Sequence, residues 1–457
     1  MRYFKIFFAV LFVAFVIINL VSCTHMSNIS PPANAPNYLK NVYNDLVKEG
    51  IKVTYNPEIL EAIPAPQKPY SPFPRDIPSN WIASELEWTQ YKSPVSPYGL
   101  VSLDDFYGDY VLETVPKEGY KAPSSRPNSI KPILKLYKRK NIIEPLPNKL
   151  TKSDYELLKV LDKAPEDQPY PQNQEPKLSD HFVVWQASSN EFDQNWEIWG
   201  YDINKDKTFL ICSYNDYKIS QNSYPIYTMP EDKNVLLVNL VTQDPDGKLR
   251  SEIIIYDLTN EKISEVLKSD KYIYSSPTFA GNYLYVNRSD LNQNIDNKTQ
   301  YAPSSVIRIY PYTGEEKVII PNANFFVASS FQYKVCLVSL DPNYQYNDIW
   351  VFDTIKNDMI CYMKVPIEDN ITPGVSLTQE GILYAGGQSR EIPYYFYSFS
   401  KKKAFYTGPL ISKPDNLGRF LIMKQPLDLY RPIPPFDYEG KAKRLEGYDT
   451  FLIIKPN

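Results

Sequence analysis

Five acids fall in polar stretches between the apolar runs of this chain: Glu191, Asp193, Asp290, Asp341 and Glu391. Two carboxyl groups held about 5–5.5 Å or 6.5–9.5 Å apart have the geometry for cleaving a glycosidic bond. The sequence does not fix whether any two of them meet. Histidine chemistry is nearly closed off, because the chain has only His25 and His181. A His-based metal site or a Ser-His-Asp triad has almost nothing to be built from. The stretch "SLDDFYGD" holds Asp104, Asp105 and Asp109 without calcium-loop spacing, and reads as a solvated acidic turn. No metal or other cofactor is expected. Recognition chemistry is better supplied. The polar stretches carry Trp196, Arg288, Tyr301, Tyr344, Tyr346, Arg390, Tyr430, Arg431, Phe436, Asp437 and Tyr438. Tyr, Trp and Arg are the side chains enriched at binding hot spots. With Asp290, Asp341 and Glu391, they form the candidate binding set.

Where these residues act depends first on the N-terminus. "MRYFK" places Arg2 and Lys5 before an apolar run from Ile6 to Ile18, the charge and length of a secretory signal. The run ends in "LVSC", residues 20 to 23, which resembles the lipobox of bacterial lipoproteins. That resemblance implies a signal peptide over residues 1–22 and a diacylated Cys23 as the new N-terminus. Two acyl chains anchor a protein stably, so the mature chain is expected on a membrane of the bacterial cell envelope. The other cysteines, Cys212, Cys336 and Cys361, are odd in number and sit in apolar strand-like runs. They read as buried free thiols.

Removal of residues 1–22 leaves 435 of 457 residues and takes away two of the 49 Lys+Arg, so 47 cations face 53 acids. A net charge of −6 over that length gives no footprint for nucleic acid. The length exceeds what one hydrophobic core supports, which points to several domains or to repeats. With 38 Tyr and 40 Pro against 16 Gly, composition favours strands and Pro-punctuated loops.

Repeats are what the chain shows. Apolar runs such as "HFVVWQA", "NVLLVNL", "NYLYVNR" and "KVCLVSL" are each followed by a second run: "WEIWGYDI", "EIIIYDL", "VIRIYPY" and "DIWVFDT". A tight polar turn ("NKDK", "TNEK", "YTGE", "IKND") and a third run come next, and Pro-led segments precede several units. The unit is therefore four antiparallel strands, a to d, in roughly 40–55 residues, the mark of a β-propeller. The residues "EIIIYDLTNEK" and "DIWVFDTIKND" resemble the third strand and turn of the TolB-like propeller repeat, loosely, since "PED", "AGN" and "TQEG" stand where that family has "SPDG". The resemblance implies a fold and no catalytic residue.

The expected fold is thus all-β, with seven blades beginning near 94, 170, 223, 274, 324, 371 and 411; a six-bladed ring starting near 170 is the alternative. Tyr137, Tyr201, Tyr256, Tyr310, Phe352 and Phe399 are placed at equivalent third-strand positions. The wide first interval is assigned to a short helix in "TKSDYELLKVLDKAP", with Ser153 and Glu156 as its capping box. The last unit lacks a fourth strand, and residues 84–91 are a candidate to supply it. Residues 23–36 read as a lipidated tether, and 37–93 as a helix over "NYLKNVYNDLVKEG" plus a Pro-rich wrapping segment.

In such a blade the a–b and c–d turns share one face, and the b–c and d–a connections the other. The b–c connections are the long ones and hold the candidate binding set, so the functional prior rests on that face. The expectation is a membrane-anchored, non-enzymatic propeller that engages a protein, peptide or envelope polymer. The alternative is a glycan-active hydrolase or lyase using paired carboxylates. The intact mass of membrane-extracted protein is expected to show cleavage before an acylated Cys23; a free thiol there or an uncut N-terminus would contradict the lipobox.

Overall fold

A computed structural model describes residues 30–60, 88–92, 102–122, 124, 131–141, 149–166, 171–189, 195–217, 225–230, 233–243, 246–290, 304–323, 325–340, 345–366, 374–385, 393–409, 415–417, 420–425 and 450–454. The described strands form seven sheets, each built on antiparallel neighbours in chain order. The first sheet runs Ser102–Tyr107, Tyr110–Pro116, Pro132–Arg139 and Tyr155–Leu161. The second to sixth begin at Gln172, Ile226, Tyr272, Phe325 and Gly374, and the seventh at Asp415. Apolar clusters fill the space between successive sheets, each drawing side chains from two neighbours. The fold is a β-propeller.

The c–d turns of the second to sixth sheets are copies of one another. Each has four residues and ends on a left-handed residue: Asp206, Glu261, Gly314, Asn357 and Lys402. An Asp closing the third strand holds the turn where present. Asp202 accepts from the Asn204 and Lys205 amides at 3.0 Å, and Asp353 from the Ile355 and Lys356 amides at 3.1 and 3.0 Å. Strand pairing also corrects the third-strand alignment. Ile309 faces Leu284 as Tyr256 faces Leu236, and Tyr397 faces Ile382 in the same way. Ile309 and Tyr397, not Tyr310 and Phe399, therefore occupy the repeated position.

Buried polar side chains stitch sheet to sheet. Asn173 donates to Pro132 O at 2.9 Å, Tyr227 to Glu175 O at 2.6 Å and Asn239 to Tyr274 O at 3.0 Å. Asn287 donates to Phe325 O at 2.8 Å and accepts from Val327 N at 2.7 Å, and Asn347 donates to the Tyr384 hydroxyl at 3.0 Å. Each bond satisfies groups in an interior where an unpaired one would cost about 1–3 kcal/mol.

The helix expected near residue 153 is not formed. A single 3₁₀ turn over Lys152–Asp154 is closed by the Thr151 amide donating to Asp154 at 2.6 Å, and Tyr155–Leu161 is the outer strand of the first sheet. Ladder hydrogen bonds to Pro132–Arg139 outweigh a helix propensity that is only a weak prior. The wide interval comes instead from a detour between the third and fourth strands, which lays Lys149–Thr151 on the seventh sheet.

The N-terminal arm is part of the same body. Helix α1 (Asn37–Lys48) buries Tyr38, Leu39, Val42, Tyr43 and Leu46 along one stripe. Gly50, at φ +74, ends it: Gly50 N bonds Val47 O and Ile51 N bonds Leu46 O, both at 2.9 Å. The stripe packs on the fourth and fifth sheets. Strand β1 (Lys52–Ile59) then adds to the fifth sheet in parallel with Asp358–Pro366, and Glu58 accepts from the Ala404 amide of the sixth sheet at 2.7 Å. Strand β2 (Trp88–Lys92) pairs antiparallel with Thr450–Ile454, supplying the seventh sheet with the outer strand that its described C-terminal residues do not form.

A buried polar node fixes α1. The Tyr38 hydroxyl donates to Asp348, and Tyr55 donates to the same carboxylate at 3.1 Å. Ser339 joins Tyr38 at 2.8 Å and accepts from the Trp350 indole at 3.0 Å. Burial, then the Asp348 charge, push the Tyr38 phenol far above its ordinary value. Burial also takes Tyr256 and Tyr285 to about 12. Phenols raised in the folded state keep their protons while unfolded ones lose theirs near pH 10, so stability is full below pH 10 and falls as pH rises past it. Denaturant unfolding between pH 9 and 11 is expected to show this fall. Tyr38→Phe should lower stability at pH 7 by about 1–3 kcal/mol and make the alkaline fall shallower; an unchanged slope would contradict the node.

Candidate functional site

The face bearing the b–c and d–a connections is built on ionised frameworks. Between the first and second sheets, Lys131, 2% exposed, donates to Ala164 O at 2.6 Å and lies 3.0 Å from Asp162. Lys117 bonds Asp162 at 3.1 Å and also reaches Glu166. Its bond to Glu166, then that to Asp162, raise the Lys117 ammonium, and Lys117 in turn holds the Glu166 carboxyl low. Asn173 completes the framework, donating to Asp162 at 3.0 Å and accepting from the Trp185 indole at 3.1 Å.

A second framework joins the strands of the fourth sheet. The Arg288 guanidinium lies 4.3 Å from the Tyr272 ring centre and pairs with Glu316 at 2.6 Å. Tyr274 donates its hydroxyl to the same Glu316, and burial, then that bond, push its phenol up. Arg288 is therefore a positioned side chain, not a solvated one. Asp290 sits opposite Tyr272 at the end of its ladder.

The rest of the candidate set divides sharply. Trp196 is a correction: it is 0% exposed, packed with Phe182, Ile198 and Tyr227 between the second and third sheets, and is not part of a binding loop. Its spacing to Ile198 was the available signal, since the period of two extends the strand's buried side to residue 196. Tyr346 is half-buried, with Lys364 at 4.9 Å from its ring. Tyr301, Asp341, Tyr344, Arg390, Glu391, Tyr430, Arg431, Phe436, Asp437 and Tyr438 lie outside the described residues, as do Cys23, Glu191 and Asp193. The acidic turn is partly structural: Asp105 accepts from Leu178 N at 2.8 Å, and Asp109 pairs with Arg139 at 2.7 Å. Cys212, Cys336 and Cys361 are buried free thiols, the last two on strands separated by Tyr346–Asp353.

One feature of the opposite face escaped the sequence reading. Tyr312, Tyr333 and Ile355 protrude from turns of the fourth and fifth sheets at 74%, 51% and 68% exposure. Large apolar residues at positions where polar ones suffice were the signal.

No protein-family model matches the chain, and no curated protein does. Solved structures do resemble it. The β-propeller domain of the Trilobed protease from Pyrococcus furiosus, described as an open velcro topology, is 14% identical, with 71% of this chain and 91% of that one covered, at a TM-score of 0.44. TolB from Acinetobacter baumannii is 12% identical over 66% and 64% of the two chains, at 0.37. The acylaminoacyl peptidase of Pyrococcus horikoshii is 11% identical at 0.46; this chain covers 49% of it, about half its length.

Trp196→Ala is expected to lower stability by about 3–5 kcal/mol, as loss of a core aromatic does. A change below about 0.5 kcal/mol in denaturant unfolding would return Trp196 to the surface.

Proposed function

We propose that this chain is a lipid-anchored, non-enzymatic β-propeller of the bacterial cell envelope. It binds a protein, peptide or envelope polymer through its long-loop face. The observation that carries this reading is the asymmetry between the two faces. Five c–d turns repeat one four-residue geometry. The b–c connections differ in length, and the last of them takes residues 426–449 to join Gln425 to Thr450. A hairpin needs two to five residues, so a connection of that length is not required by the fold. The anchor rests on "LVSC" and the apolar run before it, and the net charge argues against nucleic acid.

Three of the described carboxyls are unsuited to acid catalysis. Glycoside cleavage needs one carboxyl with a raised pKa. Lys117 holds Glu166 low, Lys159 and Tyr201 hold Asp206 low, and Lys248 holds Asp270 low. The glycan-active alternative would have to use carboxyls other than these three.

Replacing residues 426–447 by a short turn is expected to abolish capture of a partner from envelope extract while thermal unfolding stays cooperative. Tyr430→Ala with Arg431→Ala should weaken capture, with stability changed by no more than about 0.5 kcal/mol. Undiminished capture by both variants would refute the assignment of this face.

A further inference from the structure

The apolar residues on the short-turn face form a continuous surface. The Tyr312 ring meets Tyr310 at 5.5 Å between centres, and Tyr310 meets Tyr283 at 5.7 Å. Gly281 N then bonds Gln332 O at 2.8 Å, bringing the a–b turns of the fourth and fifth sheets together. Thr354 N bonds Tyr333 O at 2.9 Å, which sets Tyr333 beside Ile355. Asp353 caps the amides of Ile355 and Lys356, so Ile355 is held outward on a turn whose backbone is already satisfied. Nothing in the fold calls for a large apolar side chain at these tips.

A basic margin adjoins this surface. Lys334 lies 5.3 Å from the Phe399 ring, joining the fifth sheet's a–b turn to the sixth sheet's c–d turn "SFSKKK". Lys401 and Lys402 are exposed there, and neither makes a side-chain ion pair among the described residues. Lys356 is exposed beside Ile355, with Asp353 at 3.8 Å.

We propose that this face docks on an anionic lipid bilayer. Tyrosine places its ring at the lipid boundary and its hydroxyl in water, a protruding Ile inserts, and lysines reach acidic headgroups with their stems along apolar surface. The residues stand at turn tips, and the margin toward the fifth and sixth sheets is basic, while Glu315 is exposed beside Tyr312 at the fourth-sheet end. Ile355 with Lys356, Lys401 and Lys402 forms the part of the face that suits an anionic plane. The proposal rests on the membrane-anchored reading and gives it an orientation: with the short turns on the bilayer, the long connections point away, toward the partner. The anchor can reach this plane. Helix α1 rises about 18 Å from its end beside Asn357, and residues 24–36 span about 40 Å when extended.

The test uses the mature chain from residue 23 made without its acyl group, Cys23→Ser, in co-sedimentation with phosphatidylglycerol-rich and pure phosphatidylcholine vesicles. Binding to the anionic vesicles is expected to be at least about tenfold tighter and to weaken with salt. Ile355→Asp, and separately Lys401→Glu with Lys402→Glu, should each cost about tenfold or more, with thermal unfolding unchanged. Ile355→Ser replaces the Asp variant if that one fails to fold. Equal binding by wild type and variants overturns the proposal, as does indifference to anionic vesicles. So does a defect in protein capture without a vesicle defect. A chain that sediments with vesicles yet carries no acyl group in cells would keep this face and lose the anchor; an acylated protein whose bare form ignores vesicles would do the reverse.

Discussion

The last sheet of this propeller is tied to upstream parts of the chain by a backbone ladder. Among the described residues, the C-terminal stretch contributes Asp415–Leu417, Phe420–Gln425 and Thr450–Ile454 to the seventh sheet and no outer strand. Trp88–Lys92 pairs with Thr450–Ile454, and Lys149–Thr151 pairs in turn with Trp88–Lys92. Three distant parts of the chain therefore share one sheet. An open edge at this point would leave a row of unpaired backbone groups, a template for association that proteins cover.

The closing strand belongs to an arm that is itself fastened. Helix α1 fills the space against the fourth and fifth sheets, β1 extends the fifth, and Glu58 reaches the sixth. The Asp348 carboxylate takes hydroxyls from both Tyr38 and Tyr55, so one buried charge holds helix and strand together. Breaking such a node leaves a charge in the interior, which costs far more than the loss of a surface pair. A pull on the segment before α1 would thus meet the body at the fourth to sixth sheets before it could reach the closing strand. The two faces are freed from structural duty to different degrees. The short-turn face repeats a four-residue geometry yet displays Tyr312, Tyr333 and Ile355, while the other face carries the connections that vary.

Much of this was legible in the residues. Period-two runs separated by "NKDK", "TNEK" and "IKND" specify strands and tight turns locally, and the sheets begin within a few residues of most expected positions. Residues 84–91 are a candidate closing strand because the last unit is one strand short; the ladder uses 88–92. What failed did so where tertiary partners decide. "YELLKVL" alternates too weakly to announce a strand, and its fate depends on Pro132–Arg139. Trp196 reads as a loop aromatic if the strand starts after it, but the side chain completes the buried side shared with Ile198. Arg288 was singled out for its type, but only the structure shows Glu316 and Tyr272 holding it. The inter-sheet amides Asn239 and Asn287 recur in "LLVNL" and "LYVNR"; their role could not be read, because their acceptors lie on the next repeat's first strand.

The tie between the chain's two ends can be measured directly. Gln90 and Leu452 are directly opposite in the closing ladder, and opposite residues on antiparallel strands lie about 4.5–5.5 Å apart at Cα, within disulfide reach. The Gln90→Cys, Leu452→Cys protein is expected to form this disulfide on mild oxidation. Peptide mapping should find residues 90 and 452 joined, and thermal unfolding should shift upward on oxidation and return on reduction. Failure of the two cysteines to join in the native protein, or a disulfide that lowers thermal stability, would contradict closure of the propeller by its N-terminal arm.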